Sequence, residues 1–208
     1  MAIPLFPSFS CWRLSIFFDW VFHAEANVPK MKNRKGIVFV LSAPSGTGKS
    51  TLIEKMTQEH PHIVRNVSYT TRTKRPQEKE GDHYHFIDKE TFLKKTENNE
   101  FLEHANVFGY EYGTGKKDIE DHLNQGHHVF LVIDTQGAMN LMKDFKAVYI
   151  FLAPPSMEEL HSRLNKRQTE DASTIEKRLT CAQEELQKAS LYDYYVVNCQ
   201  FDEAYKTL

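Results

Sequence analysis

The segment Ser42-Ala43-Pro44-Ser45-Gly46-Thr47-Gly48-Lys49-Ser50-Thr51 constrains this chain more than any other, because of what flanks it. Before it, Ile37-Val38-Phe39-Val40-Leu41 is an unbroken apolar run, the pattern of a parallel strand covered on both faces. After it, Leu52, Ile53 and Met56 recur at helical spacing until Pro61 closes the stripe. A strand, a glycine-bearing turn and a helix that begins on Lys-Ser make a phosphate-binding loop. Gly46 and Gly48 let the backbone curl so that successive N–H groups point inward, and the helix presents its positive end to the same anion. The pattern departs from GxxxxGK(S/T) at its first position, where Ala43 stands, and a methyl group is tolerated there at negative φ. A turn that merely joined strand to helix would have no need of Lys49 and Ser50. Ala43, Pro44, Ser45, Gly46, Thr47, Gly48, Lys49, Ser50 and Thr51 are therefore expected to hold the phosphates of a nucleoside triphosphate. Lys49 supplies a point charge for the β and γ phosphates, and the Ser50 hydroxyl is the expected ligand of nucleotide-bound Mg²⁺.

Two further apolar runs, His128 to Ile133 and Ala147 to Leu152, and a shorter one from Tyr194 to Asn198, supply the remaining core strands. The class is thus α/β: a P-loop NTPase core with a parallel sheet flanked by helices. A length of 208 residues suits one such domain with small inserted subdomains, and a hydrophobic share of 40% with 26% charged residues excludes disorder and a multispanning membrane protein. The formal net charge of -2 argues against broad binding to nucleic acid, so any anion site must be local. Cys11, Cys181 and Cys199 lack metal-ligand spacing and are expected to be buried free thiols of a reducing compartment. Residues 1–34 read as an extension. Their aromatic run is interrupted by Arg13 and Asp19 and is too short to span a bilayer, and Met31 directly precedes the first convincing strand as an alternative start. The competing reading of that extension is a poorly formed targeting or membrane-surface segment.

Between the first two strands lie four polar segments that carry substrate information. Val67 to Pro76 contains Arg72 and Arg75, three apart, able to converge on one anion as forked donors. Gly81-Asp82-His83-Tyr84-His85-Phe86, Asn98-Asn99-Glu100-Phe101-Leu102-Glu103 and Tyr112-Gly113-Thr114 follow in that order. The series, from Ser68 through Glu78 to Thr114, resembles the GMP-binding subdomain of guanylate kinases. That resemblance implies that Arg72, Arg75, Tyr84 and Tyr112 hold the phosphate of GMP while Ser68, Glu103 and Thr114 read its base. Elementary chemistry agrees: one carboxylate such as Glu103 accepts guanine N1–H and N2–H₂ together, Ser68 or Thr114 can donate to O6, and adenine would set its N1 lone pair against the carboxylate.

The second half continues the resemblance. Ile133-Asp134-Thr135-Gln136-Gly137 is similar to the family's IDxQG segment, except that Val132 stands where most relatives carry a second acid. Asp134 is expected to serve alone, touching the guanine amino group or the hydrated metal, although a strand-end Asp often simply caps the next helix. Ser156 with Glu159 reads as a capping box. The helices beyond carry Arg163, Arg167 and Arg178 at positions matching the family's hinged lid, which implies catalytic roles over the ATP phosphates alongside Lys49 and Arg72. Asn198 resembles the residue that approaches adenine. The expected organisation of residues 35–208 is a core of 35–66 and 115–208, a GMP-binding subdomain of about 67–114, and a helical lid of about 163–178.

No general base is needed for this chemistry, because a phosphate monoester with a second pKa of about 6 is already largely a dianion at neutral pH. The obstacle is bringing two polyanions together, which the cations offset. The resemblance further implies small-molecule partners GMP and ATP, with dGMP as a second acceptor, neither nucleic acid nor membrane, a monomer or homodimer, and a cytoplasmic location. Two competing readings are a non-catalytic phosphopeptide-binding module of the same fold and a P-loop kinase for another acceptor.

Overall fold

The computed structural model describes residues 35–166 and 172–208. The N-terminal extension, Cys11 and Arg167 lie outside the described residues. The core is a five-stranded parallel sheet of order β2-β7-β1-β8-β9, formed by β1 (Val38–Ser42), β2 (Ile63–Arg65), β7 (His128–Ile133), β8 (Val148–Ala153) and β9 (Tyr194–Val197). Strand β1 is central, pairing Val40 with Leu131 on one side and Tyr149 on the other. Its unbroken apolar run follows from that position. Leu41 packs into a cluster with Leu52, Ile53 and Met56 of α1 (Lys49–Glu59) and Ala204 of α7 (Phe201–Thr207). On the opposite face Val38 and Val40 join Ile119 of α3 (Lys116–Asn124) and Ala138 and Leu141 of α4 (Thr135–Leu141). Both faces are buried, so alternation has nothing to distinguish.

A second, four-stranded mixed sheet, of order β4-β3-β6-β5, comprises β3 (Tyr69–Thr70), β4 (His85–Phe86), β5 (Phe101–Val107) and β6 (Tyr110–Gly115), with α2 (Lys89–Glu97) capped by Asp88 on the Thr91 N–H. The β5–β6 hairpin turns through Phe108 (φ 51°) and Gly109 (φ 86°), the pair of positive φ values that a two-residue turn needs to match strand twist. Helix α4 lies against β5, the long strand of the second sheet.

Helices α5 (Met157–Lys166) and α6 (Ala172–Gln187) pack through Leu160, Leu164, Ile175 and Ala182. The expected capping box at α5 is half realised. The Ser156 hydroxyl accepts the Glu159 N–H at 3.1 Å, but the Glu159 carboxylate turns to Arg163 at 2.8 Å instead of reaching back. The expectation of buried thiols is corrected: Cys181 is half-buried and Cys199, in the bend after β9, is exposed. Among the described residues no helix is long and apolar enough to cross a membrane.

Candidate active site

The carboxyl end of the parallel sheet faces the second sheet across a cleft of about 320 Å³, where open α/β sheets place ligands. The phosphate-binding loop forms one wall. Gly46 (φ 96°) and Gly48 (φ 102°) both take left-handed conformations, and Gly48 is the N-cap of α1. A methyl group on Gly48 would also sit 2.8 Å from Asn198 Nδ2. Thr47, fully enclosed, bonds the Pro44 carbonyl with its N–H at 3.2 Å and its hydroxyl at 2.8 Å, closing the loop on itself. Lys49 Nζ donates to the Ala43 carbonyl and lines the cleft with Ser45, Ser50 and Thr51. Arg178 of α6 donates to the Ser45 hydroxyl and lies over the Phe108 ring at 5.5 Å, so one side chain touches the donor loop and the tip of the β5–β6 hairpin.

Arg163 and Asn198 bond to backbone carbonyls at and beside the loop. Asn198 is buried and donates to the Thr47 carbonyl at 2.7 Å. Arg163 donates to the carbonyls of Asn198 at 3.1 Å and Thr47 at 3.4 Å while Glu159 holds its Nε. Both are turned onto the backbone of the phosphate-binding loop and fix its curvature.

The opposite wall gathers the acceptor candidates. Arg72 Nη2 donates to Glu78 Oε1 at 2.7 Å, its Nη1 to the Thr73 carbonyl at 2.8 Å and its Nε to the Tyr112 hydroxyl at 3.3 Å, and its guanidinium lies 5.6 Å from the centre of the Tyr84 ring. Tyr84 and Tyr112 meet edge to face at 5.8 Å. Burial by itself would lift the Glu78 carboxyl, but hydrogen bonds from Arg72 and the Arg75 N–H, at 2.8 Å, more than offset it and hold Glu78 below the usual carboxylate range. Arg75 lines the same wall.

Deeper in, Glu103 is 9% exposed, and its Oε1 accepts the Thr114 hydroxyl at 2.5 Å. Burial pushes its carboxyl up to about 7, with the charge of Asp134 adding to the rise and the Thr114 hydrogen bond opposing it. Gly137 is what admits this side chain, since a methyl group there would lie 2.7 Å from Glu103 Oε2. Ser68 is buried and lines the cleft beside Glu103. Asp134 does cap α4, accepting the Gly137 N–H at 2.9 Å, and its carboxylate still borders the cleft. Val132 lines the cleft as well, an apolar surface next to that acid.

The sequence reading gave no role to Asn66, Glu78 or Glu185. Glu78 closes the arginine motif and could have been paired with Arg72 from spacing alone. Glu185 sits on α6 among apolar stripe positions, accepts the Thr135 hydroxyl at 3.0 Å, and has its carboxyl raised by burial against the opposing pull of Lys49. Ser50, Asp134 and Glu185 line one cleft, an all-oxygen donor set of the kind that suits a hard divalent cation such as Mg²⁺.

A family model described as Guanylate kinase matches residues 35–208. The chain is 46% identical over 177 residues to the guanylate kinase of Protochlamydia amoebophila, covering 85% of this chain and 90% of that one. It is 46% identical over 173 residues to that of Vibrio cholerae, covering 82% and 84%. The crystal structure of guanylate kinase from Anaplasma phagocytophilum superposes with a TM-score of 0.68 at 40% identity, covering 83% of this chain and 82% of that one.

Proposed function

The chain belongs to the guanylate kinase family, and from that premise we propose how its own residues carry out the family's reaction, the ATP-dependent phosphorylation of GMP to GDP. The observation that carries this reading is the buried Glu103 facing the same cleft as Lys49. A carboxylate so placed offers two acceptors to the N1–H and N2–H₂ of guanine and none of the donors adenine would need.

Lys49 and the N–H groups of the loop hold the β and γ phosphates of ATP. Arg72, Arg75, Tyr84 and Tyr112 hold the phosphate of GMP so that one of its oxygens lies in line with the γ phosphorus. That oxygen attacks, the bond to the β-bridging oxygen breaks, and ADP leaves. Lys49 and Arg178 neutralise charge as it spreads over the transferred group, with Arg167 joining them by family position. Arg163 and Asn198 act through the loop's shape. Ser50, with Asp134 beside it, would hold Mg²⁺, which would supply further charge neutralisation on the phosphates.

Closure of the helical lid expected at about 163–178 keeps water, the competing nucleophile, from the γ phosphate. dGMP is a second acceptor, the protein works as a monomer or homodimer, and its place is the cytoplasm, where guanine nucleotides are recycled. The second carboxylate on Glu185 favours catalysis over a phosphopeptide-binding role, because a binding module has no use for an acid facing Lys49.

A coupled ADP-release assay with GMP, dGMP, AMP and UMP tests the reading. Turnover is expected with GMP and dGMP; equal turnover with AMP would remove Glu103 from base recognition.

A further inference from the structure

Asn66, at the carboxyl end of β2, is 4% exposed, and neither its Nδ2 nor its Oδ1 has a hydrogen-bond partner among the described residues. Its backbone N–H is pinned to the Phe130 carbonyl at 2.9 Å, so the residue is not free to turn away. Leaving both ends of a carboxamide unpaired in a buried position is destabilising, since neither protein nor water replaces the bonds lost on burial. Such an orphan calls for a partner that is present at some stage of the protein's work.

The side chain lines the cleft. Along Asn66-Val67-Ser68-Tyr69-Thr70 burial alternates, with Asn66, Ser68 and Thr70 enclosed and the residues between them half-buried. In extended chain that alternation puts all three on one side, with Asn66 roughly 7 Å along the backbone from Ser68. The carboxamide therefore lies on the base-reading side of the pocket, beyond Ser68.

Guanine presents the N1–H and N2–H₂ donors on one edge and the O6 and N7 acceptors on another. Glu103 takes the donors. The Thr114 hydroxyl already gives its proton to Glu103, so it does not serve O6, and Ser68 remains for that atom. None of Glu103, Thr114 and Ser68 is then left to donate to N7, which lies next to O6. We infer that Asn66 is a further substrate-contacting residue, whose Nδ2 donates to N7 of the acceptor guanine from the floor of the pocket. The inference rests on GMP being the acceptor.

Steady-state kinetics of the full chain with GMP and with 7-deaza-GMP, which has a C–H in place of N7, tests it. Wild type is expected to show a KM about tenfold higher for the deaza analogue, the value of one buried hydrogen bond. In Asn66→Ala the KM for GMP rises to meet that of the analogue, the difference between the two disappears, and the KM for ATP stays unchanged. Asn66→Ser, the smaller polar replacement, guards against a folding defect and loses the same discrimination. The assignment is overturned if wild type handles the two acceptors alike, or if Asn66→Ala keeps the difference between them. If wild type fails to phosphorylate GMP at all, the acceptor reading falls and this contact falls with it.

Discussion

On the donor side of the cleft the groups proposed to meet phosphate are mostly backbone, curled by two glycines and braced by Thr47, Arg163 and Asn198; on the acceptor side they are side chains, Arg72, Arg75 and Tyr84 from the β3–β4 loop and Tyr112 from β6. A backbone site is indifferent to which triphosphate it cradles, since every nucleotide carries the same phosphates. A side-chain site distinguishes, because each of its donors and acceptors is left unpaired by the wrong base. On the proposed reading, chemistry resides on one wall and choice on the other.

Removing the point charge of the donor wall should have the largest effect. Lys49→Ala is expected to lower kcat by about 10³-fold with the fold intact by circular dichroism; near-normal turnover would break the division of labour. Next in size is Glu103→Gln on the acceptor wall. It replaces one acceptor by a donor facing guanine N1–H or N2–H₂, and should lower kcat/KM for GMP by about 10²-fold while the KM for ATP stays constant. A parallel rise in both KM values would show that the walls are not separable.

The pH dependence follows from the same carboxyl. Because it titrates at about 7 in the free protein and guanine binds the ionised form, GMP binding releases a proton below that pH. Between about pH 8 and pH 6 the ionised fraction falls about tenfold, so KM for GMP should rise by roughly that factor, over and above the titration of the GMP phosphate itself. Calorimetry in buffers of different ionisation enthalpy reads the proton directly, and Glu103→Gln should abolish it. The raised value also tilts folding: an acid that holds its proton more tightly when folded makes the fold less stable as pH rises from about 4.5 to about 7.

The smallest of these effects belongs to the brace behind the donor loop. Arg163→Lys retains the charge but not the fork onto Thr47 and Asn198, and should raise KM for ATP about threefold to tenfold with little change in KM for GMP. An effect on kcat as large as that of Lys49→Ala would instead put Arg163 in contact with the transferred group.

The same contrast decides what the sequence could disclose. The donor loop is contiguous, and the unbroken strand before it, the glycines and the Lys-Ser start of α1 are local consequences of one local job. The parallel sheet followed from apolar runs too long and too uniform for a half-exposed strand. The acceptor residues were found through their order along the chain, but their bonding was not. Arg72 pointed to an anion, and Glu78, which spacing alone could have paired with it, is already there. Arg163 and Asn198 were matched to lid and adenine positions, yet they meet the Thr47 carbonyl across 116 and 151 residues of chain, a partnership no local pattern encodes. Asn66 gave no signal at all, since an asparagine after a short strand usually reads as a turn residue; its enclosure is a product of the neighbouring strand.

The pairing of Arg72 with Glu78 presets the acceptor site. With Nη2 on Glu78, Nη1 on the Thr73 carbonyl and Nε on Tyr112, each nitrogen of this guanidinium is already engaged before any nucleotide arrives. Three of its five N–H donors are spent in this way, so Glu78 holds the fork steady while two donors remain for an incoming anion. A doubly charged phosphate ester, seated at the same time by its base, gains more from that pre-oriented pair than chloride or acetate does.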